Sequence, residues 1–333
     1  MARKVTLGVL AAVFTPLMAS CVGAPATTYE LQEPKECPID ESSYDGAVRI
    51  GYQVIPGSAL FLRDQGLVES CFPHANVSWV RFATGQDVVQ GFASGSIDVG
   101  IAGSPPAANA LSSPIDLDLK VIRTNDITDS GEALVARDAT SIEELAGENI
   151  VTAANSTAHY SLLKALEAAG ITDAEITFLS PEALLSAWTA GDVDAAFMWG
   201  PTLSHMQQEG NTLTTAGEVA EETGAATHLF TLATSELVDN SDIHAVWNEL
   251  EDHALDVWNE DSERFVQATS VQAGLDAELT RELIEGKKHL YQKEAEDMAE
   301  EIRSNLFETA EFLDQQGIAD VKEQDHYDEA VIG

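Results

Sequence analysis

The chain has 333 residues, with 56 Asp and Glu against 17 Lys and Arg and a formal net charge of −39. So acidic a chain has no basic footprint for phosphate, which excludes nucleic acid as a partner. The acids are dispersed and aliphatic residues are plentiful, so the composition is that of a folded body with a charged, salt-screened surface and not of a disordered chain.

In chain order, Arg3 and Lys4 precede an apolar run, residues 5–17, that is too short to span a bilayer. A basic start, an apolar stretch and then small residues form the pattern of an export signal over residues 1–20. The run ends Met18-Ala19-Ser20-Cys21, which resembles the lipobox of bacterial lipoproteins and makes Cys21 the expected lipidated residue. Cleavage after Ala24 is the alternative, but it would leave the unfavourable Pro25 behind the cut. Residues 21–46, rich in Pro, Thr, Glu and Ser, read as a tether. The expected location is therefore outside the cytoplasm, with a lipid as the sole attachment to the membrane. Cys37 and Cys71 are then an exported pair, for which a disulfide from the tether to the body is expected.

From residue 48 the pattern alternates short strands with helices. Strands are expected at residues 48–53, 77–82, 119–123, 149–153 and 176–179, with helical stretches at 60–70 and 160–169. Such alternation argues for α/β units with largely parallel sheets. Two segments match each other, residues 92–105 and 188–201. Gly95 and Gly191, Ile97 and Val193, Asp98 and Asp194, and Pro105 and Pro201 fall at the same offsets. Each reads as a helix closed by Gly, a tight turn, a buried strand, and a Pro that opens the next helix. A repeated unit about a hundred residues apart predicts two similar lobes: residues 47–135 with 227–333, and residues 136–226. Residues 132–137 are expected to cross between the lobes, and residues 227–234 to return. The later acidic helices carry apolar stripes, Ile243 to Trp258 and Ala295 to Leu313, that are assigned to core packing.

In open α/β sheets a ligand lies beyond the carboxyl ends of strands, beside helix N-termini whose free N–H groups favour anions. Here those places hold Gln53, Ser104, Ser156, Thr157 and Trp199. The hydroxyls of Ser104, Ser156 and Thr157 add donors, so an anion is accommodated without Lys or Arg. Each hydroxyl also has an ordinary role as a helix cap.

Several segments are similar to the taurine and aliphatic-sulfonate binding proteins of ABC importers, within the nitrate/sulfonate/taurine group. The segments are Gly51-Tyr52-Gln53, residues 92–100, Gly103-Ser104-Pro105, residues 130–135, residues 156–163 (Ser-Thr-Ala-His-Tyr-Ser-Leu-Leu) and Met198-Trp199-Gly200-Pro201. The resemblance implies a two-lobed periplasmic-binding-protein-like fold of type II, with two hinge-crossing strands and closure around the ligand. It implies a monomer that serves a permease and an ATPase, with no cofactor, no metal and no catalysis. It places Ser104, Ser156, Thr157, His159 and Tyr160 at the sulfonate, Trp199 over the alkyl chain, and Glu132 or Gln53 at an amine. One departure stands out: where the family has Asp to meet the amine, this chain has Leu229. Taurine therefore depends on Glu132, because a buried ammonium without a carboxylate is costly. A sulfonate without an amine, nitrate, a carboxylate or a pyrimidine precursor is the alternative solute. An enzyme on the same fold is the remaining alternative, but the chain lacks a Gly-x-Ser-x-Gly elbow, a Walker loop and a His-Glu-x-x-His pair.

Overall fold

The computed structural model describes residues 35–333. Cys21 and the whole export signal lie outside these residues. Strands form at Ala47–Tyr52 (β1), Asn76–Arg81 (β2), Val99–Gly103 (β3), Leu119–Thr128 (β4), Glu132–Ala136 (β5), Asn149–Thr152 (β6), Glu175–Phe178 (β7), Ala195–Trp199 (β8), Asn211–Thr215 (β9), His228–Thr234 (β10) and Lys287–His289 (β11). They divide into two sheets, ordered β11-β4-β10-β3-β1-β2 and β7-β6-β8-β5-β9. Helices cover both, so each sheet is the centre of an α/β lobe.

The internal repeat occupies equivalent positions in the two sheets. β1 pairs in parallel with β2 and β3, and β6 pairs in parallel with β7 and β8. The helices before β3 and β8 end close to Gly95 (φ 66°) and Gly191 (φ 80°), a backbone region that a side chain disfavours. The sheets are mixed, however, and not largely parallel. β10 runs antiparallel to β3 and β4, and β5 runs antiparallel to β8 and β9. The antiparallel strands are the ones through which the chain leaves one lobe and re-enters it.

The crossing point also differs from the expectation. β5 pairs wholly within the second sheet, so residues 132–135 are not part of the first lobe and the passage is Asp129-Ser130-Gly131. The return runs through Gly224 to Thr227 into β10. The two passages lie side by side: Thr128 N–H donates to Thr227 O at 2.9 Å and the Thr128 hydroxyl to the same oxygen at 3.1 Å.

Each lobe has apolar clusters on its sheet. In the first, Ile243, Val246, Trp247, Leu250 and Ala254 bury the stripe of helix Ile243–Glu260 against Val48, Ile50 and Phe61, with Trp258 half-covered at its end. Fully burying one such side chain contributes about 1.5–3 kcal/mol, which is why this helix lies where its stripe dictates. The second stripe is interrupted after Asp297, giving helices Gln292–Asp297 and Ala299–Gln315, yet Ala295, Ile302, Leu306, Ala310 and Leu313 still share one core. The expected helix over residues 60–70 is likewise broken, at Gly66, into Ser58–Gln65 and Leu67–Cys71.

Residues 35–46, given to the tether by their composition, lie against the first lobe. Cys37 and Cys71 form a disulfide with their Cα atoms 4.9 Å apart. Ser42 N–H donates to Cys71 O at 2.8 Å, and Ile39 and Tyr44 pack on the core. Among the described residues no helix is long and apolar enough to cross a membrane.

Candidate functional site

A cleft lies between the lobes, beside the passage at Gly131. Its larger cavity is walled by Ile55, Pro56, Leu229 and Lys287 from the first lobe and by Glu132, Trp199 and Gly200 from the second. A second cavity adjoins it on the first-lobe side, with Gln53, Ile101 and Asp126 in its wall and Leu229 and Lys287 shared. The strand ends dictate this arrangement. Glu132 opens β5 and sits in register with Trp199, which closes β8, so both side chains arrive at one end of the second sheet. Gln53 follows β1 directly, and its amide donates to Ile101 O at 3.1 Å.

Glu132 is the most informative side chain. Its Oε1 accepts from the Thr157 hydroxyl at 2.6 Å, while Oε2 is buried without a partner among the described residues. Burial pushes its carboxyl up to about 7, against the Thr157 hydrogen bond and the positive charge of Lys287. A carboxylate held in this way is short of one donor.

The other hydroxyls singled out in the sequence are engaged within the protein. Ser156 caps helix Thr157–Ala168, accepting from His159 N–H at 3.1 Å and donating to Ala153 O at 2.7 Å. Ser104 is fully buried, and its oxygen accepts from His228 N–H at 3.3 Å. Thr157 spends its proton on Glu132, and its methyl reaches across to the first lobe, where a Cβ on Gly103 would lie 2.5 Å from it. Here the lobes touch.

His159 and Tyr160 line neither cavity. The Nδ1 atom of His159 accepts from Asn155 N–H at 3.3 Å, and its ring meets Phe178 edge-on at 4.9 Å. Burial lowers it to about 4, so it is neutral near pH 7. Tyr160 packs edge-on against Phe312 at 4.8 Å, joining the lobes on another side of the molecule. Burial raises its hydroxyl to about 12, opposed by a hydrogen bond with Thr309.

Lys287 has no counterpart in the sequence reading. Its Nζ donates to Pro56 O at 2.8 Å and reaches Asp126 Oδ2 at 3.5 Å. Asp126 is held more closely by His289, at 2.5 Å. Burial would raise the Asp126 carboxyl, but Lys287 and His289 outweigh it and hold the group down at about 2. Neighbouring Gly286 meets the passage between lobes: its carbonyl accepts from Gly131 N–H at 2.7 Å. Nothing local marks Lys287. It lies far along the chain from the other cleft residues and arrives there because β11 pairs with β4.

Two α/β lobes, joined by adjacent passages, enclose a cleft walled from both sides, an architecture able to hold a small solute. A family model for the substrate binding domain of the ABC-type glycine betaine transport system matches residues 65–257. The chain belongs to that family. It is 35% identical over 150 residues to the taurine-binding periplasmic protein of Escherichia coli (strain K12), covering 44% of this chain and 46% of that one. The chain spans about half the length of the curated relatives it matches. The alkanesulfonate-binding protein SsuA from Xanthomonas axonopodis pv. citri, bound to MOPS, superposes with a TM-score of 0.72 at 20% identity over 86% of this chain and 97% of that one. The periplasmic aliphatic sulphonate binding protein SsuA from Escherichia coli gives a TM-score of 0.68 at 21% identity, over 83% and 89%. At such identities these structures bear on the fold alone.

Proposed function

We propose that this protein is the extracytoplasmic solute-binding component of an ABC importer. It captures taurine or a related short alkanesulfonate between its lobes and delivers it to a permease and an ATPase. The observation that carries this reading is Glu132, a buried carboxylate in the cleft with one oxygen unpartnered among the described residues. An ammonium or hydroxyl at one end of a small solute would supply the missing donor. Leu229 and Trp199 face the same cavity and suit a short alkyl chain. The similarity to a taurine-binding relative supports the same solute class.

Glu132 thus takes the role that the absent acid at position 229 leaves open. Glycine betaine, named in the family description, fits less well. A quaternary ammonium is recognised by a cage of aromatic faces and has no proton to give. Among the described residues, Trp199 is the one aromatic side chain on either cavity wall. Within the same reading, Cys21 carries a lipid and holds the protein at the outer face of a membrane.

Calorimetric titration with taurine, isethionate, ethanesulfonate, nitrate and glycine betaine tests the function. Saturable binding of taurine or isethionate, with the solute recovered unchanged, is expected. Binding of betaine or nitrate in preference to every sulfonate would refute the assignment, as would turnover of the solute.

A further inference from the structure

We propose that Lys287 takes the anionic end of the solute, opposite Glu132, so that the cleft selects a molecule with one negative end and one donor end. This rests on the sulfonate-binding reading; it leaves the amine end at Glu132 and moves the anion from the helix-start hydroxyls, its expected place, to Lys287.

Three observations carry it. Two of the three hydroxyls spend their protons within the protein, Ser156 on Ala153 O and Thr157 on Glu132, and the oxygen of the fully buried Ser104 already accepts from the His228 amide. Lys287 and Glu132 belong to opposite lobes and wall the same cavity, so a solute that meets both also holds the lobes together. Finally, Lys287 keeps donor capacity. An ammonium has three N–H donors, and among the described residues its oxygen partners are the Pro56 carbonyl and the Asp126 carboxylate at a loose 3.5 Å. Asp126 is already engaged by His289, which limits what its charge takes from Lys287.

A charge-assisted hydrogen bond in a water-poor cleft is stronger than one from a neutral hydroxyl. A lysine beside an apolar wall is therefore a better sulfonate partner than the serines named from the sequence. Leu229 lies on the wall of both cavities, as Lys287 does. An acid at that position would compete with the solute for the lysine, so the loss of the expected Asp and the presence of Lys287 form one arrangement.

The test uses the whole exported protein, titrated calorimetrically with taurine and isethionate at about pH 8. Lys287→Gln is expected to weaken both by roughly tenfold or more, the span of one charged hydrogen bond. Lys287→Arg should restore most of the affinity. Leu229→Asp provides a second arm that leaves the lysine in place. If the anion sits at Lys287, the new acid pairs with it and taurine binds about tenfold more weakly. If the amine sits near residue 229, taurine binds more tightly, and that result overturns the proposal. A folded Lys287→Gln variant that binds taurine as the parent does overturns it too. Failure of the unaltered protein to bind any sulfonate overturns the functional reading, and with it this one.

Discussion

The hydroxyl of Thr157 donates to Glu132 Oε1 at 2.6 Å and leaves Oε2 buried with no partner among the described residues. A strand start and a helix start of the second lobe thus hold a carboxylate that waits for a donor. Its raised protonation range, about 7, gives the pair a measurable signature. An ammonium needs the carboxylate form, so taurine affinity should rise between about pH 6 and pH 8 and then level off. Near pH 7 binding should release protons, seen as a calorimetric enthalpy that varies with the buffer. Isethionate, with a neutral hydroxyl, should show a weaker dependence. Equal pH profiles for the two would remove Glu132 from the donor end.

The same carboxyl makes a prediction about the empty protein. Its folded value, about 7, lies above its ordinary 4.5. Between these values the folded state holds the extra proton, so stability falls as pH rises. Once the group is ionised in both states the loss is on the order of 3 kcal/mol. Glu132→Gln should therefore raise the Tm at about pH 8 and change little at about pH 4. Thermal unfolding at the two pH values checks this.

Gly131 and Gly286 approach so closely that neither tolerates a side chain. A Cβ on Gly286 would lie 2.6 Å from Gly131 N, and one on Gly131 would lie 2.9 Å from Gly286 O. Gly286→Ala should push β11 away from the passage between lobes and carry Lys287 with it. A stability loss of about 1–3 kcal/mol is expected from the forced backbone shift, together with weaker solute binding. Unchanged Tm and affinity would show that this contact is slack.

Opening the Cys37–Cys71 bridge should cost stability without touching the cleft. The cysteines are 34 residues apart, and a loop of that size is worth roughly 3–4 kcal/mol in the chain-entropy model. The double Cys37→Ser, Cys71→Ser variant should unfold at lower denaturant and keep its affinity for the solute. A loss of affinity as large as the loss of stability would tie the N-terminal segment to the site.

A net charge of −39 predicts strong dependence on salt. Dispersed like charges repel over about 10 Å at 0.1 M salt and about 3 Å at 1 M. The Tm should climb through this range and flatten beyond it. A flat response would mean that the acids are locally compensated.

Much of this protein could be read from residue order alone, because local rules govern local features. The paired Gly-turn-strand-Pro segments announced two similar lobes, since a helix needs a left-handed stop and a buried strand needs an apolar run. Glu132, Gln53 and Trp199 stand on the cavity walls because strand ends are where such sheets open. The stripe ending at Trp258 reported its own buried face by helical spacing. What residue order left open is who meets whom. Ser104, Ser156 and Thr157 were legible as hydroxyls at helix starts, open to a ligand or to a cap, but only packing could show which contacts each makes. Tyr160 and Phe312, distant in sequence, meet because the lobes do. Lys287 reaches the cleft through the pairing of β11 with β4, a long-range register that no local pattern encodes. Chain order thus determined the elements and the ends where chemistry could sit. Tertiary structure decided which donors remain free, because a hydrogen-bonding group has few partners and folding assigns most of them.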